Sequence, residues 1–277
     1  MFVLKDFLRH LARPAIMGIV NATGDSFSEG AASSPETAVE RGYSLALAGA
    51  DILDIGGESS RPGAEKITAQ METDRVIPVL TGLQKLLPQM IFSIDTIHPE
   101  TADAALKCGA QIINDVSMLR DSDELARCTA RYNAALILNH SRAASGNMQA
   151  PEYCNYPNGT AADCLTELTA AKAKAVAAGV EESNIILDPG IGFSKTAAQC
   201  WELLRNLDKF GDLRDWAIGV SRKSFLAEAT GEKEPARRLG ESIALELELA
   251  KQHIGIIRTH AVRELHNAIT TLAYFRS

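Results

Sequence analysis

The chain has 277 residues, of which 46% are hydrophobic and 23% are charged, and its net charge is −7. This composition is typical of a globular protein that buries a full core, and the negative charge argues weakly against a nucleic-acid partner. Charged residues interrupt the first 14 residues, and no later apolar run reaches membrane-spanning length. The sequence therefore predicts neither a secretory signal nor a membrane anchor.

The five cysteines are odd in number and show no CxxC spacing. This pattern favours thiols in a reducing compartment over disulfides or a zinc site, so we expect a cytoplasmic protein. Four of them, Cys108, Cys128, Cys164 and Cys200, fall in helical patterns and are predicted to be packing residues.

Short apolar runs alternate with longer amphipathic stretches along the whole chain. Strands are predicted at 15–21, 52–57, 91–96, 112–117, 134–140, 185–190, 216–221 and 256–261. Helices are predicted at 35–50, 71–87, 99–110, 123–133, 160–179, 196–207 and 262–275. A further helical region follows the seventh strand and ends with 244–254. Continuous apolar runs are typical of parallel strands covered on both faces. Eight such units favour a single α/β domain over residues 1–277, a (β/α)₈ TIM barrel with residues 1–14 as a lead-in, and an open doubly wound sheet is the alternative.

Proline supports three of the predicted helix starts, at Ser34-Pro35, His98-Pro99 and Glu234-Pro235. Proline is tolerated at the first helical position because the N–H that it lacks has no partner there. One long irregular loop is predicted after the fifth strand, before the helix that begins at Thr160. Such a loop is typical of a lid or a binding loop, or else of a disordered segment.

Every predicted strand ends in polar residues. In chain order they are Asn21; Asp54 and Glu58; Asp95; Asn114 and Asp115; Asn139 and His140; Asp188; Ser221, Arg222 and Lys223; and Arg258 and His260. The carboxyl ends of barrel strands meet at one face, where barrel enzymes build their active sites. A single aspartate such as Asp54 is more often structural, whereas several carboxylates buried in one mouth are costly unless they bind something.

The residue types at this face suit a flat polar heterocycle. The carboxylates of Asp95 and Asp188 and the amide of Asn114 can bind adjacent donor and acceptor edges of a ring. Lys223 can donate to a ring carbonyl, and Arg258 can stack on a ring or bind an anion. The segment ILDIGGESSRPG (52–63) adds a glycine pair and several donors, which suit an anionic or ring-bearing ligand. A tight turn that caps a helix is the alternative for this segment.

Seven segments, in order along nearly the whole chain, resemble the dihydropteroate synthases, the pterin-binding enzymes of folate biosynthesis. They are IMGIVNATGDSFSEG, GADILDIGGESSRPGA, SIDTIHPE, GAQIINDVS, ILDPGIGFSKT, GVSRKSF and IIRTH. The resemblance implies a barrel, usually dimeric, that joins 7,8-dihydropterin-6-ylmethyl diphosphate to 4-aminobenzoate with Mg²⁺. Diphosphate and 7,8-dihydropteroate are the implied products.

The resemblance also assigns roles to individual residues. The implied pterin site comprises Asp95, Asn114, Asp188, Lys223, Phe193 beside the ring and Arg258 stacked against it. The implied diphosphate and aminobenzoate sites comprise Phe27, Ser60, Arg61, Pro62, Lys223, Ser224, Arg258 and His260. Asn21 matches the magnesium ligand, and Asp95, Lys223 and Arg258 are the implied catalytic residues.

The chain departs from the family pattern at several of these positions. Gly24 stands where proline is usual, and Ser60 where threonine is common. Asn139 and Ser141 replace methionines, which makes one wall of the pterin pocket polar, and Ala261 replaces an aspartate beside His260. We expect these changes to alter anion binding, the pocket wall and the response to sulfonamides, which imitate aminobenzoate.

Two other functions share this pattern. A pterin-binding methyltransferase domain would hold methyltetrahydrofolate for transfer to a corrinoid protein, and a non-catalytic paralogue would only bind pterin. The segments SSRPG and GVSRKSF favour the synthase over the methyltransferase. Retention of Asn21, Asp95, Asp188, Lys223 and Arg258 favours it over the paralogue.

Overall fold

The computed structural model describes residues 2–23, 34–58, 66–120, 122–143 and 150–276. The strands in these ranges are β1 (Ala15–Asn21), β2 (Ile52–Gly56), β3 (Ile91–Asp95), β4 (Ile112–Asp115), β5 (Ala135–Asn139), β6 (Ile185–Asp188), β7 (Ala217–Ile218) and β8 (Ile256–Thr259). The α-helices are α1 (Leu4–His10), α2 (Pro35–Leu47), α3 (Ala69–Leu86), α4 (Pro99–Lys107), α5 (Glu124–Arg131), α6 (Thr160–Ala177), α7 (Ala197–Arg205), α8 (Ala227–Thr230), α9 (Leu239–Lys251) and α10 (Val262–Arg276).

All eight strands are parallel and form one sheet in the order β6-β5-β4-β3-β2-β1-β8-β7. A single parallel bridge between Leu187 and Trp216 joins the two outer strands and closes the sheet. The predicted (β/α)₈ barrel is therefore confirmed. In the described ranges, no helix combines the length and the apolar character needed to cross a membrane.

Strand β7 is much shorter than predicted. Residues 216–221 were expected to form a strand, but only Ala217 and Ile218 do so. The Val220 carbonyl instead accepts a hydrogen bond of 3.2 Å from the Lys223 N–H, which turns the chain out of the sheet. The expected run of six strand residues is thus replaced by a turn that brings Lys223 to the barrel mouth.

The helix starts agree with two of the three proline signals. Pro35 and Pro99 occupy the first turn of α2 and α4. Pro235 begins only a short 3₁₀ turn, and α9 starts four residues later at Leu239. The lead-in is also not featureless, because its residues 4–10 form α1, whose Leu4 and Leu8 pack against the apolar interior of the barrel.

Side chains along each strand point alternately into and out of the barrel, which separates two apolar clusters and places polar residues in the mouth. Side chains two residues apart point to the same face of a strand. The interior cluster comprises Ala15, Met17, Ile52, Ile112, Ala135, Ile137, Ile186, Ala217 and Ile256. Two residues beyond interior positions come Asp54, Asn114, Asn139, Asp188 and Arg258. The same alternation that fills the core therefore turns these polar side chains into the barrel mouth.

The cysteine prediction holds for three of four residues. Cys128, Cys164 and Cys200 are buried, but Cys108 is exposed, so its prediction as a packing residue is wrong. Cys108 follows the last residue of α4 as its C-cap, just beyond the turn that packs on the strands. All five cysteines are free thiols, as the sequence indicated.

Candidate active site

Arg258 lies in the mouth between two carboxylates. Its Nε donates to Asp54 Oδ2 at 2.6 Å, and its Nη2 donates to Asp95 Oδ2 at 2.8 Å. The amide Nδ2 of Asn114 donates to the same oxygen of Asp54 at 3.1 Å. Side chains from β2, β3, β4 and β8 are thereby joined in one hydrogen-bonded group, which brings together three of the predicted site residues.

Asp95 is the least compensated carboxylate of this group. Burial raises its pKa to about 7; the charge of Arg258 acts in the opposite direction, and that of Asp54 raises the pKa further. A single guanidinium shared by two carboxylates leaves an excess of negative charge in the mouth. Such a site favours a ligand that carries, or develops, positive charge.

Asp54 belongs to the site, although a structural role was the more favoured interpretation of its sequence context. It is fully buried, and it orients both Arg258 and Asn114. Its other oxygen, Oδ1, is buried without a hydrogen-bond partner among the described residues. The only signal in the sequence was its position two residues after the interior residue Ile52.

Asp188 and Lys223 form the facing side of the mouth. Asp188 Oδ1 accepts a hydrogen bond of 2.7 Å from the Gly190 N–H. Burial raises the pKa of Asp188, and the nearby Lys223 opposes that change. Burial likewise lowers the pKa of Lys223 to about 8, against the influence of Asp188. The two side chains thus stabilise each other's charged forms in a pocket that disfavours both.

Lys223 is held against the turn that follows β6. Its ammonium group donates to the Ile191 carbonyl and lies 4.9 Å from the centre of the Phe193 ring. The structure therefore places Phe193 beside Lys223, and its predicted position beside a pterin stays a prediction. Asn139, which is buried, pairs in register with Asp188 and adds a polar side chain between β4 and β6.

The remaining described candidates also lie at this end of the barrel. Asn21 ends β1 in register with Gly56. The backbone N–H and the Nδ1 atom of His260 each lie 3.2 Å from Ser221 Oγ, so a serine contacts the histidine although Ala261 replaces the usual aspartate. Ser224 is exposed at the start of a 3₁₀ turn, Ser224–Leu226. Predicted residues Phe27, Ser60, Arg61 and Pro62, and the departure at Gly24, lie outside the described residues.

A second group of charges joins the loops after β5 and β6, and only His140 of this group was among the polar residues noted in the sequence. Lys195 is 1% exposed, and its Nζ donates to His140 Nδ1 at 2.8 Å. With Nδ1 accepting, Nε2 carries the proton and donates to Glu167 Oε2 at 3.1 Å. Burial, followed by the charge of Lys195, lowers the pKa of His140 to about 4, so the imidazole is neutral at physiological pH.

Arg142 completes this second group. Its Nε donates to both oxygens of Glu167, at 3.0 and 3.1 Å, and its guanidinium carbon lies 3.8 Å from the centre of the Tyr156 ring. The Tyr156 hydroxyl donates to the Ser194 carbonyl at 2.8 Å. Burial would raise the pKa of Glu167, but hydrogen bonds from His140 and Arg142 lower it to about 2. The two loops are therefore joined by a continuous chain of polar contacts.

The donor set at the mouth limits how a metal can be held. Among the residues that the structure describes, no group of three or more His, Cys, Asp or Glu side chains could form a metal cage. Asn21 supplies an amide oxygen at the rim, which suits a hard cation. Mg²⁺ commonly takes one or two protein oxygens and completes its shell with water and substrate phosphate, so this donor set fits an ion that arrives with a diphosphate.

Residues 17–260 match the family described as pterin binding enzyme. The dihydropteroate synthase of Bacillus subtilis is 37% identical over 262 residues, which cover 93% of this chain and 87% of that protein. The folic acid synthesis protein fol1 of Pneumocystis carinii is 35% identical over 94% of this chain. The chain spans only 36% of that fungal protein, about a third of its length.

Solved structures give the same result. The Xanthomonas albilineans dihydropteroate synthase with 4-aminobenzoic acid has a TM-score of 0.85 and 34% identity, covering 96% of this chain and 94% of that chain. The Yersinia pestis dihydropteroate synthase with a sulfonamide drug has a TM-score of 0.86 and 32% identity, covering 96% and 95%. The chain thus belongs to the pterin-binding enzymes and, within them, to the dihydropteroate synthases, which are transferases of folate biosynthesis.

Proposed function

We propose that this chain condenses 7,8-dihydropterin-6-ylmethyl diphosphate with 4-aminobenzoate to give 7,8-dihydropteroate and diphosphate. The observation that carries the proposal is the convergence of Asp95, Asn114, Asp188, Lys223 and Arg258 in one barrel mouth. The solved relative from Xanthomonas albilineans binds 4-aminobenzoic acid, which is one of the two proposed substrates.

The pterin ring is bound by the polar side chains of the interior layer. Asp188 accepts two parallel N–H bonds from the amino and ring N–H groups of the pterin, and Lys223 donates to an acceptor on the same ring. Asn114, held by Asp54, supplies one donor and one acceptor. Phe193 and the planar guanidinium of Arg258 provide flat surfaces for the ring.

The reaction needs charge stabilisation and no enzyme nucleophile. As diphosphate leaves the pterin methylene carbon, positive charge develops on the pterin, and the ionised carboxylate of Asp95 stabilises it. Arg258 and His260, with Ser60 and Arg61, bind the leaving anion. The neutral amine of aminobenzoate then attacks the methylene carbon beside Phe27, Pro62 and Ser224, and the amine loses a proton.

Asn21 would hold Mg²⁺ together with diphosphate oxygens, where the bound ion would neutralise the charge of the leaving group. Exclusion of water protects the pterin cation from capture by water. We assign this exclusion to the loop after β1.

The deciding experiment uses the purified chain with the pterin diphosphate, labelled 4-aminobenzoate and Mg²⁺. We expect labelled 7,8-dihydropteroate and one diphosphate per product. Omission of the pterin diphosphate and the variant Asp188→Asn serve as controls. Absence of product from a chain that binds the pterin would favour a non-catalytic paralogue, and methyl transfer from methyltetrahydrofolate to a corrinoid would favour the methyltransferase.

We also propose that the chain acts as a cytoplasmic homodimer and is a target of sulfonamides. Five free thiols suit a reducing compartment, and Tyr274 and Phe275 on the last helix are each 85% exposed. Light scattering in solution tests the dimer, and cell fractionation tests the location. Competition between a sulfonamide and 4-aminobenzoate in the assay above tests the drug target.

A further inference from the structure

Lys195 is a fully buried lysine that forms no ion pair with a carboxylate in the part of the chain that the structure describes. Its three protons are all used, since Nζ donates to His140 Nδ1 at 2.8 Å, to the Phe193 carbonyl at 3.0 Å and to the Gly190 carbonyl at 3.1 Å. Burial lowers its pKa, whereas the charges of nearby groups, Asp188 among them, act in the opposite direction. A buried ammonium group is costly unless each of its protons has an acceptor. Lys195 therefore constrains the positions of the three atoms that it binds.

The two carbonyls that Lys195 binds are the two ends of one turn. The Phe193 N–H donates to the Gly190 carbonyl at 3.0 Å, which closes the turn from 190 to 193. Gly190 has a φ of +67°, and a Cβ atom there would lie 1.9 Å from the His140 carbonyl oxygen. The turn is therefore wedged against His140 on one side and fastened through Lys195 to the imidazole of the same residue.

This turn contacts or contains the proposed pterin-binding residues on the β6 side of the mouth. Its middle carbonyl, from Ile191, accepts from the ammonium group of Lys223. Its last residue is Phe193, whose ring centre lies 4.9 Å from Lys223 Nζ. Its first amide, from Gly190, donates to Asp188 at 2.7 Å. Three proposed pterin-binding side chains thus depend on the shape of four residues.

We propose that Lys195 is a positioning residue for the pterin site: by fastening both ends of the 190–193 turn to His140, it fixes the places of Phe193, Lys223 and Asp188. Lys195 does not contact the substrate. The inference rests on the proposed function for its choice of ligand. The ordering of the turn itself does not depend on that function.

The test compares Lys195→Met with Lys5→Met, a second buried lysine. Lys5 is 7% exposed and lies on α1, where it pairs with Asp215 at 2.6 Å away from the mouth. In the free protein, we expect Lys195→Met to speed amide hydrogen exchange at Phe193 at least tenfold relative to Lys5→Met, at matched global stability. In calorimetry with the pterin diphosphate and Mg²⁺, we expect about a tenfold rise in the dissociation constant, or about 1.4 kcal/mol, for Lys195→Met only.

The pKa of His140, measured by NMR, checks the contact between Lys195 and His140. In the free protein, burial and then the charge of Lys195 lower the pKa of His140 while Glu167 raises it, so Lys195→Met should raise the pKa. If Lys195→Met does not fold, Lys195→Gln, which retains donors for two acceptors, takes its place with smaller effects in the same direction.

The outcomes separate the two proposals. Unchanged exchange at Phe193, or a pterin dissociation constant within twofold of the wild type, overturns the positioning role. A wild-type chain that does not bind the pterin diphosphate refutes the proposed function. In that case, the exchange measurement still decides whether Lys195 orders the turn.

Discussion

Two groups of charges, each made of buried and partly buried side chains, lie on different sides of the barrel mouth, and they differ in how completely they are paired. The first comprises Asp54, Asp95 and Arg258, in which two carboxylates share one guanidinium. The second is the chain from Lys195 through His140 and Glu167 to Arg142, in which each donor meets an acceptor.

The difference matches different tasks. The first group faces the mouth, and burial, aided by neighbouring carboxylates and opposed by Arg258, raises the pKa of Asp95 to about 7. An unbalanced site of this kind can be completed by a substrate that becomes positive. The second group joins loops, with its charges satisfied within the protein, so it holds shape. Charges at one barrel mouth can therefore serve the reaction where their pairing is incomplete and hold the structure where their pairing is complete.

The largest effect should come from removing the charge of the first group. We expect Asp95→Asn to lower kcat by about 10²- to 10³-fold, the range seen when one preorganised electrostatic contact is lost. The dissociation constant of the pterin diphosphate should change by less than about fivefold, because an amide can still hydrogen-bond. Steady-state kinetics and calorimetry check both values. Equal losses in turnover and pterin affinity would contradict a role for this charge in the reaction.

Lys223 lies between the two groups, bound to the turn that the second group supports. Lys223→Ala should weaken the binding of both substrates by about 10- to 100-fold, since hydrogen bonds to charged groups contribute about 1.5–3 kcal/mol each. Calorimetry with each substrate checks the prediction, and Lys172→Ala on the outer surface of α6 is the control. Unchanged affinity for the pterin would show that Lys223 does not contact it.

Disruption of the second group should affect stability more than chemistry. Arg142→Ala should lower the free energy of unfolding by about 1–3 kcal/mol, because charged hydrogen bonds to Glu167 are lost. The control, Arg131→Ala, removes an exposed pair with Asp103 and should leave the free energy of unfolding nearly unchanged. Urea denaturation measures both variants. A large loss of kcat without a loss of stability in Arg142→Ala would erase the distinction between the two groups.

The smallest and most specific effect is a shift in pH dependence. Because the proposed reaction needs ionised Asp95, kcat/KM, which reports the groups of the free protein, should rise with pH through about 7. The raised pKa means that the folded state binds the proton more tightly than the unfolded chain. The contribution of Asp95 to stability is therefore full below about pH 4 and is lost as pH rises through about 7. Removal of the neighbouring charge in Asp54→Asn should move the kcat/KM profile to lower pH, and a shift to higher pH would contradict the assigned coupling.

The barrel and most of the mouth were predictable because eight continuous apolar runs alternate with amphipathic stretches and each run ends in polar residues. Which side chains face inward was not predictable, because Ile112 and Ile113 are both apolar and only the structure shows that Ile112, and with it Asn114, points into the barrel. The role of Asp54 was harder to predict, since its partners are 60 and 204 positions away in the sequence. Lys195 gave no usable signal, because two of its three acceptors are backbone carbonyls, which every residue has.

The single bridge between Leu187 and Trp216 makes the β6–β7 junction the thinnest part of the cylinder wall. A bound pterin that contacts Asp188 on one side of this junction and Lys223 on the other bridges the two strands. Occupancy of the site and the integrity of the barrel wall are then thermodynamically linked. The protection gained on binding should be greatest at the backbone amides of β7, far more than at β3, which pairs with β2 along its whole length and with β4 at residues 93–95.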